Sequence, residues 1–142
     1  MKKTILLFAM LLSFTACSSP KMTKSNTVVS ATNQSALIPD QVLSRLKTGN
    51  TRFVEGKSLV HDYKAEIKAS ADGQFPMAAI ISCLDSRTSP EIMFDEGIGS
   101  FFVGRVAGNT INPEMLGSLE FATKVAGAKL IAVIGQDRKS VV

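Results

Sequence analysis

Cys83, Asp85 and Arg87 stand at alternate positions directly after a short apolar run, Met77 to Ser82 (MAAIIS). In an extended chain alternate side chains point the same way, so a thiol, a carboxylate and a guanidinium would share one pocket. The guanidinium can hold the carboxylate ionised and fixed in direction through paired hydrogen bonds. The thiol, once deprotonated, is a soft ligand that suits zinc. Spacing alone leaves a second reading open, a buried structural cysteine beside a surface ion pair. A cysteine-phosphatase loop fits worse, because the arginine it needs further along falls on Ser89.

These residues need a scaffold, and the chain has room for one ordinary domain. It holds 142 residues, 45% apolar and 20% charged, which is a globular profile. One histidine excludes a three-histidine zinc enzyme within this chain. Two cysteines exclude a disulfide scaffold and a four-cysteine zinc site. Sixteen basic and 12 acidic residues leave a net charge of only +4. That charge is spread along the chain without interleaved aromatics, so no nucleic-acid partner is expected.

The elements that must position the site read as alternating helix and strand. Pro39-Asp40 opens a helix, with Asp40 placed to cap its free N–H groups. Val42, Leu43, Leu46 and Phe53 fall near one face, Gly49 is a weak point and Gly56 an end. Lys57 to Gly73 is polar and without a clear period; Tyr63 and Ile67 are its candidate anchors, and His61 reads as a surface histidine. Met77 to Ser82, Phe101 to Val106 and Lys129 to Ile134 are apolar runs suited to parallel strands buried on both faces. Asn112-Pro113-Glu114 starts a helix with a cap, a proline in the first turn and an acid. Leu116, Leu119, Ala122, Val125 and Ala126 are its expected buried face, and Gly127 its end. This pattern predicts an α/β fold, with chemistry at the C-terminal ends of the strands.

The first 16 residues read as a signal peptide: Lys2-Lys3, then the apolar run Ile5 to Leu12. Eight residues rise about 12 Å as a helix, well short of the ~20 residues a bilayer span needs. Ser13 to Cys17 (SFTAC) resembles a bacterial lipobox, with Phe14 in place of the usual leucine-like residue. Cys17 is therefore the expected lipidation site, anchoring the chain to a membrane of the cell envelope. If the lipobox is not used, the product is secreted. Removing Lys2 and Lys3 lowers the net charge from +4 to +2. Residues 17–35 are rich in Ser, Thr, Asn and Lys and read as a flexible tether.

At the motif itself the chain resembles the beta class of carbonic anhydrases. The resemblance runs from Leu43 to Gly135. It rests on LKTGNTRF, on QFPMAAIISCLDSRTSPEIMFDEGIGSFFVGRVAGNTINPE and on GSLEFATKVAGAKLIAVIG. It implies zinc as cofactor, carbon dioxide and bicarbonate as substrate and product, and a homodimer or higher assembly. It implies that Cys83 is a zinc ligand and that Asp85 and Arg87 are the catalytic dyad. In the open form of the family site Asp85 would orient the zinc-bound hydroxide, and in the closed form it would bind zinc itself. Zinc lowers the pKa of bound water to about 7, which makes that hydroxide available. Gln74 would contact substrate across the dimer interface, Phe102 would wall the carbon dioxide pocket, and Gly108 would line the cleft. For Gln74 and Phe102, a surface loop residue and simple core packing are the alternatives.

The resemblance stops after Gly135. There the family carries a zinc-binding histidine and, two residues on, a second zinc-binding cysteine. This sequence continues with Gln136 and Asp137, and it has no histidine or cysteine after Cys83. Two ligands remain where three or four are usual. The expectation is a partial domain over residues 36–135: a partial parallel sheet with flanking helices, its C-terminal part missing. Residues 136–142 would be a divergent tail produced by truncation or frameshift. The expected activity by family is zinc-dependent hydration of carbon dioxide, absent from this chain. The alternative is a non-catalytic lipoprotein fragment that keeps the half-fold without zinc.

Overall fold

Apolar Ala78, Ala79, Ile80 and Ile81 form the centre of a three-stranded parallel sheet of order β2-β1-β3. The computed structural model describes residues 28–135. In chain order the elements are α1 (Ala31–Ala36), α2 (Pro39–Val54), α3 (Tyr63–Ala69), β1 (Ala78–Ser82), α4 (Pro90–Met93), β2 (Phe101–Arg105), α5 (Pro113–Glu120) and β3 (Leu130–Val133). A short 3-10 turn, Ala107–Asn109, follows β2, and a π-helical turn, Phe121–Val125, continues α5. The sheet register pairs Ala78 with Phe101 and Leu130, and Ser82 with Arg105. Among the described residues no helix is long and apolar enough to cross a membrane.

Strand alternation divides the core in two. Ala78 and Ile80 face Val42 and Leu46 of α2, together with Met77, Phe94 and Phe101. Ala79 and Ile81 face the other way, toward Leu119, Ala122, Ala128, Phe102 and Met115. Only β1 is buried along its whole length. The expectation of strands buried on both faces therefore fails for β3. Its Leu130 and Ala132 pack toward α2, while Ile131 and Val133 are exposed, Val133 by 57%. No described element covers them. The same open side corrects the expected buried face of α5. Leu119 and Ala122 are buried, but Leu116 and Val125 are exposed.

The start of α2 is capped differently from the sequence reading. Asp40 lies in the first helical turn, where a negative charge suits the helix dipole. The cap contact itself comes from Gln41, whose side chain accepts the Ile38 backbone N–H at 3.1 Å. Gly49 is more than a weak point: a Cβ there would lie 1.8 Å from the Phe94 carbonyl oxygen. That glycine lets α2 approach α4.

Two further expectations are corrected. Residues 28–35, assigned to the tether, belong in part to the folded body. Val29 is buried, and the buried Gln34 amide donates to the carbonyls of Pro76 at 2.7 Å and Ala126 at 2.8 Å. These buried carbonyls explain why a polar residue folds inward. The signal peptide, Cys17 and the tail from Gln136 lie outside the described residues.

His61 is not a surface residue, since its side chain is only 6% exposed. Its Nδ1 stands 3.0 Å from Glu66 and its Nε2 3.4 Å from Asp95. Asp95 also bonds Arg52 and accepts the Leu59 N–H at 2.9 Å. Glu66 accepts the Ile98 N–H at 2.9 Å, and Arg45 grips Glu96 through two bonds of 2.6 Å. The polar segment Lys57 to Gly73 is thus fastened by hydrogen bonds, and its expected anchors Tyr63 and Ile67 are exposed.

Candidate functional site

The site begins where β1 ends. Cys83 is half-buried, Leu84 exposed and Asp85 half-buried, as alternation predicts. The chain then leaves the extended form. Thr88 N–H donates to the Asp85 carbonyl at 3.1 Å, closing a turn. Arg87 therefore meets Asp85 through this turn and not through strand alternation. Its backbone N–H and Nε donate to Asp85 Oδ1 at 2.9 and 3.0 Å, and a terminal nitrogen donates to Oδ2 at 2.8 Å. The side-chain hydrogen bond that Arg87 donates to Asp85, then the charge of that carboxylate, push the guanidinium further toward its charged form.

The thiol is held differently. The Asp85 backbone N–H is the main group that lowers the Cys83 pKa, and the Gly108 N–H adds to it. Burial and the Asp85 carboxylate oppose them, and the net effect puts the thiol below its ordinary value. Gly108 reaches this place because its φ is +73°, a left-handed conformation that glycine adopts without strain. Its neighbour Asn109 donates to the carbonyl of Ile134, just past β3. The C-terminal ends of all three strands are tied together around Cys83.

Sequence reasoning missed two residues of this site. Arg105, the last residue of β2, donates through Nε to the Cys83 carbonyl at 3.1 Å, and through a terminal nitrogen to the carbonyls of Leu84 and Asp85. The buried Thr88 hydroxyl donates to the carbonyls of Cys83 at 3.3 Å and Asp85 at 2.9 Å. The available signal was position: Arg105 ends a strand beside the strand that carries the motif.

The structure brings Cys83, Asp85, Arg87 and Gly108 together. It does not bring Phe102 or Gln74 to them within one chain. Phe102 pairs in register with Ala79, four residues before Cys83, or about 13 Å along a strand. It meets Phe121 edge-on at 6.1 Å and lines an open apolar cavity of about 520 Å³ with Met115 and Leu119. Gln74 is exposed in the loop that precedes β1.

The donor set can be tested against zinc. Cys83 offers a thiolate, and Asp85 offers a carboxylate already engaged by Arg87. No group of three or more His, Cys, Asp or Glu side chains able to hold a metal occurs among the described residues. His61 is committed to Glu66 and Asp95. A zinc centre of three or four protein ligands does not fit the described residues.

Residues 78–138 match the family model for carbonic anhydrase. The chain is 45% identical over 93 residues to carbonic anhydrase 2 of Mycobacterium tuberculosis, a stretch covering 65% of this chain and 45% of that protein. The match to the carbonic anhydrase of Mycolicibacterium smegmatis has the same identity and coverage. The chain therefore spans less than half the length of these relatives. Among solved structures, the beta-carbonic anhydrase CcaA aligns at 28% identity and a TM-score of 0.45, covering 64% of this chain and 43% of that one. A beta-carbonic anhydrase of Sordaria macrospora, described as tetrameric, aligns at 23% identity and a TM-score of 0.48, covering 67% of this chain and 49% of that one.

Proposed function

We propose that this chain, matched over residues 78–138 by the carbonic anhydrase family model, is a partial member of the beta-class carbonic anhydrases, and that its Cys83–Asp85–Arg87 cleft is one part of a site for zinc-dependent, reversible hydration of carbon dioxide to bicarbonate. The observation that carries this reading is the doubly bonded Asp85–Arg87 pair beside a half-buried thiol held below its ordinary pKa. A thiolate is a metal ligand, and a carboxylate fixed in direction can orient a bound water. The roles are Cys83 and Asp85 as metal-facing donors, and Asp85 and Arg87 as the catalytic pair. Gly108 lines the cleft, Phe102 is the residue this reading assigns to the apolar wall of the carbon dioxide pocket, and Gln74 serves substrate from another subunit of a homodimer or larger assembly.

The 142-residue polypeptide by itself does not turn over carbon dioxide. Its sequence supplies two ligands from the motif and no histidine or cysteine after Cys83. Two ligands hold zinc far more weakly than a full set. The same proposal places the chain at the cell envelope, anchored by lipid on Cys17.

Metal analysis and a stopped-flow hydration assay on the purified chain test this reading. The expected result is less than stoichiometric zinc and no rate above the uncatalysed reaction. One zinc per chain, lost in Cys83→Ser, overturns the inactivity. Zinc or cadmium binding that is indifferent to Cys83→Ser overturns the assignment of the cleft.

A further inference from the structure

We propose that Arg105 is a positioning residue, whose guanidinium fixes the turn bearing Cys83 and Asp85 by holding three successive carbonyls of that turn. What the turn is positioned for rests on the metal-cleft reading above; that Arg105 positions it rests on geometry alone.

The carbonyls of Cys83, Leu84 and Asp85 all face Arg105. Successive carbonyls of an extended chain point in alternate directions, so gathering three on one side requires a bent backbone and a donor to hold it. A guanidinium suits this, with five N–H donors in a rigid fork and a charge that strengthens each bond. Thr88 closes the same turn through the carbonyls of Cys83 and Asp85.

Each peptide group has two ends. Holding the Cys83 and Leu84 carbonyls orients the N–H groups of Leu84 and Asp85, which bond the Cys83 sulfur together with the Gly108 N–H. Arg105 thus works on the oxygen side of the peptides whose N–H side cradles the thiol. The backbone pairing of Ser82 with Arg105, including the Val106 N–H to the Ser82 carbonyl at 3.1 Å, does not need the side chain. The guanidinium acts on the turn and not on the sheet.

The test is amide hydrogen exchange on the full 142-residue chain, comparing the wild type with Arg105→Gln and Arg105→Lys. In Arg105→Gln the amides of Asp85, Thr88 and Gly108 should exchange about tenfold faster or more, while Ile80 and Ile81 keep their wild-type rates. Arg105→Lys, which keeps charge and reach, should recover part of that protection. Wild-type rates at the three site amides overturn the proposal, as does a uniform rise that includes Ile80 and Ile81. Should Arg105→Gln fail to fold, Arg105→Lys decides by the same amides, with intermediate protection supporting the role and wild-type rates overturning it. Cadmium ion, followed by its thiolate absorption band, separates the two readings. A wild-type chain with no Cys83-dependent band removes the metal-cleft reading, while the exchange pattern still decides the role of Arg105.

Discussion

His61 Nδ1 lies 3.0 Å from the Glu66 carboxylate, joining the loop after α2 to a buried face of α3. The other ring nitrogen faces Asp95, which also bonds Arg52 of α2. One imidazole therefore fastens three parts of the chain.

Removing that ring leaves two buried carboxylates each short of a partner. His61→Leu should lower the unfolding free energy by about 2–3 kcal/mol. Urea unfolding followed by far-ultraviolet circular dichroism reads it. A loss below about 0.5 kcal/mol, the scale of an ordinary surface change, would show that the ring carries no structural role.

Two glycines separate packing from propensity. Gly49→Ala should improve helix propensity by about 1 kcal/mol. Its Cβ would instead meet the Phe94 carbonyl at 1.8 Å, and backbone cannot yield cheaply. The net expectation is a loss of about 1–3 kcal/mol from overpacking. Gly117→Ala in α5 meets nothing within 4 Å and should gain up to about 1 kcal/mol. Thermal unfolding of the two variants should move in opposite directions, and movement in the same direction refutes the packing account.

What the sequence made legible, and what it hid, follows from the range of the interactions. β1 announced itself as a continuous apolar run, because a central parallel strand is buried on both faces. Asn112 announced α5 because a cap acts locally, accepting the Met115 N–H at 2.8 Å. Cys83, Asp85 and Arg87 were legible as a group because they lie within one turn. His61 was not, since it and Asp95 are 34 positions apart, and no periodicity records a contact between distant loops. The inward turn of Gln34 was hidden for the same reason, as its second carbonyl partner is 92 positions away. The exposure of Val133 was hidden because an apolar residue on a strand reads as buried whether or not anything covers it.

The thiol offers a pH test with a defined sign. Backbone N–H groups lower the Cys83 pKa, while the Asp85 carboxylate raises it, since a nearby negative charge disfavours the thiolate. Asp85→Asn removes that opposition, so the thiolate should form at lower pH than in the wild type. Alkylation by iodoacetamide, followed against pH in a Cys17→Ser background with a metal chelator present, measures the midpoint. It should lie below that of free cysteine in the parent and lower still in Asp85→Asn. A midpoint displaced upward by Asp85→Asn would contradict the arrangement of charges.

Adding one ligand is the sharpest test of the proposed zinc cleft. The family resemblance calls for a histidine directly after Gly135, where this sequence has Gln136. The fold brings the preceding residues close to the cleft. Asn109 bonds the Ile134 carbonyl, and its neighbour Gly108 donates to the Cys83 sulfur. Residue 136 therefore follows within two positions of an atom held by the loop that touches the thiol. Gln136→His would add an imidazole nitrogen to a thiolate and a carboxylate, reaching the three-ligand minimum of a catalytic zinc site. Zinc affinity, measured by competition with a coloured chelator, should rise about tenfold or more, the equivalent of ~1.4 kcal/mol. Cys83→Ser in the same background should abolish the gain, because the new ligand then has no thiolate to complete. A gain that survives Cys83→Ser would place the metal elsewhere, and no gain at all would mean that position 136 does not face Cys83.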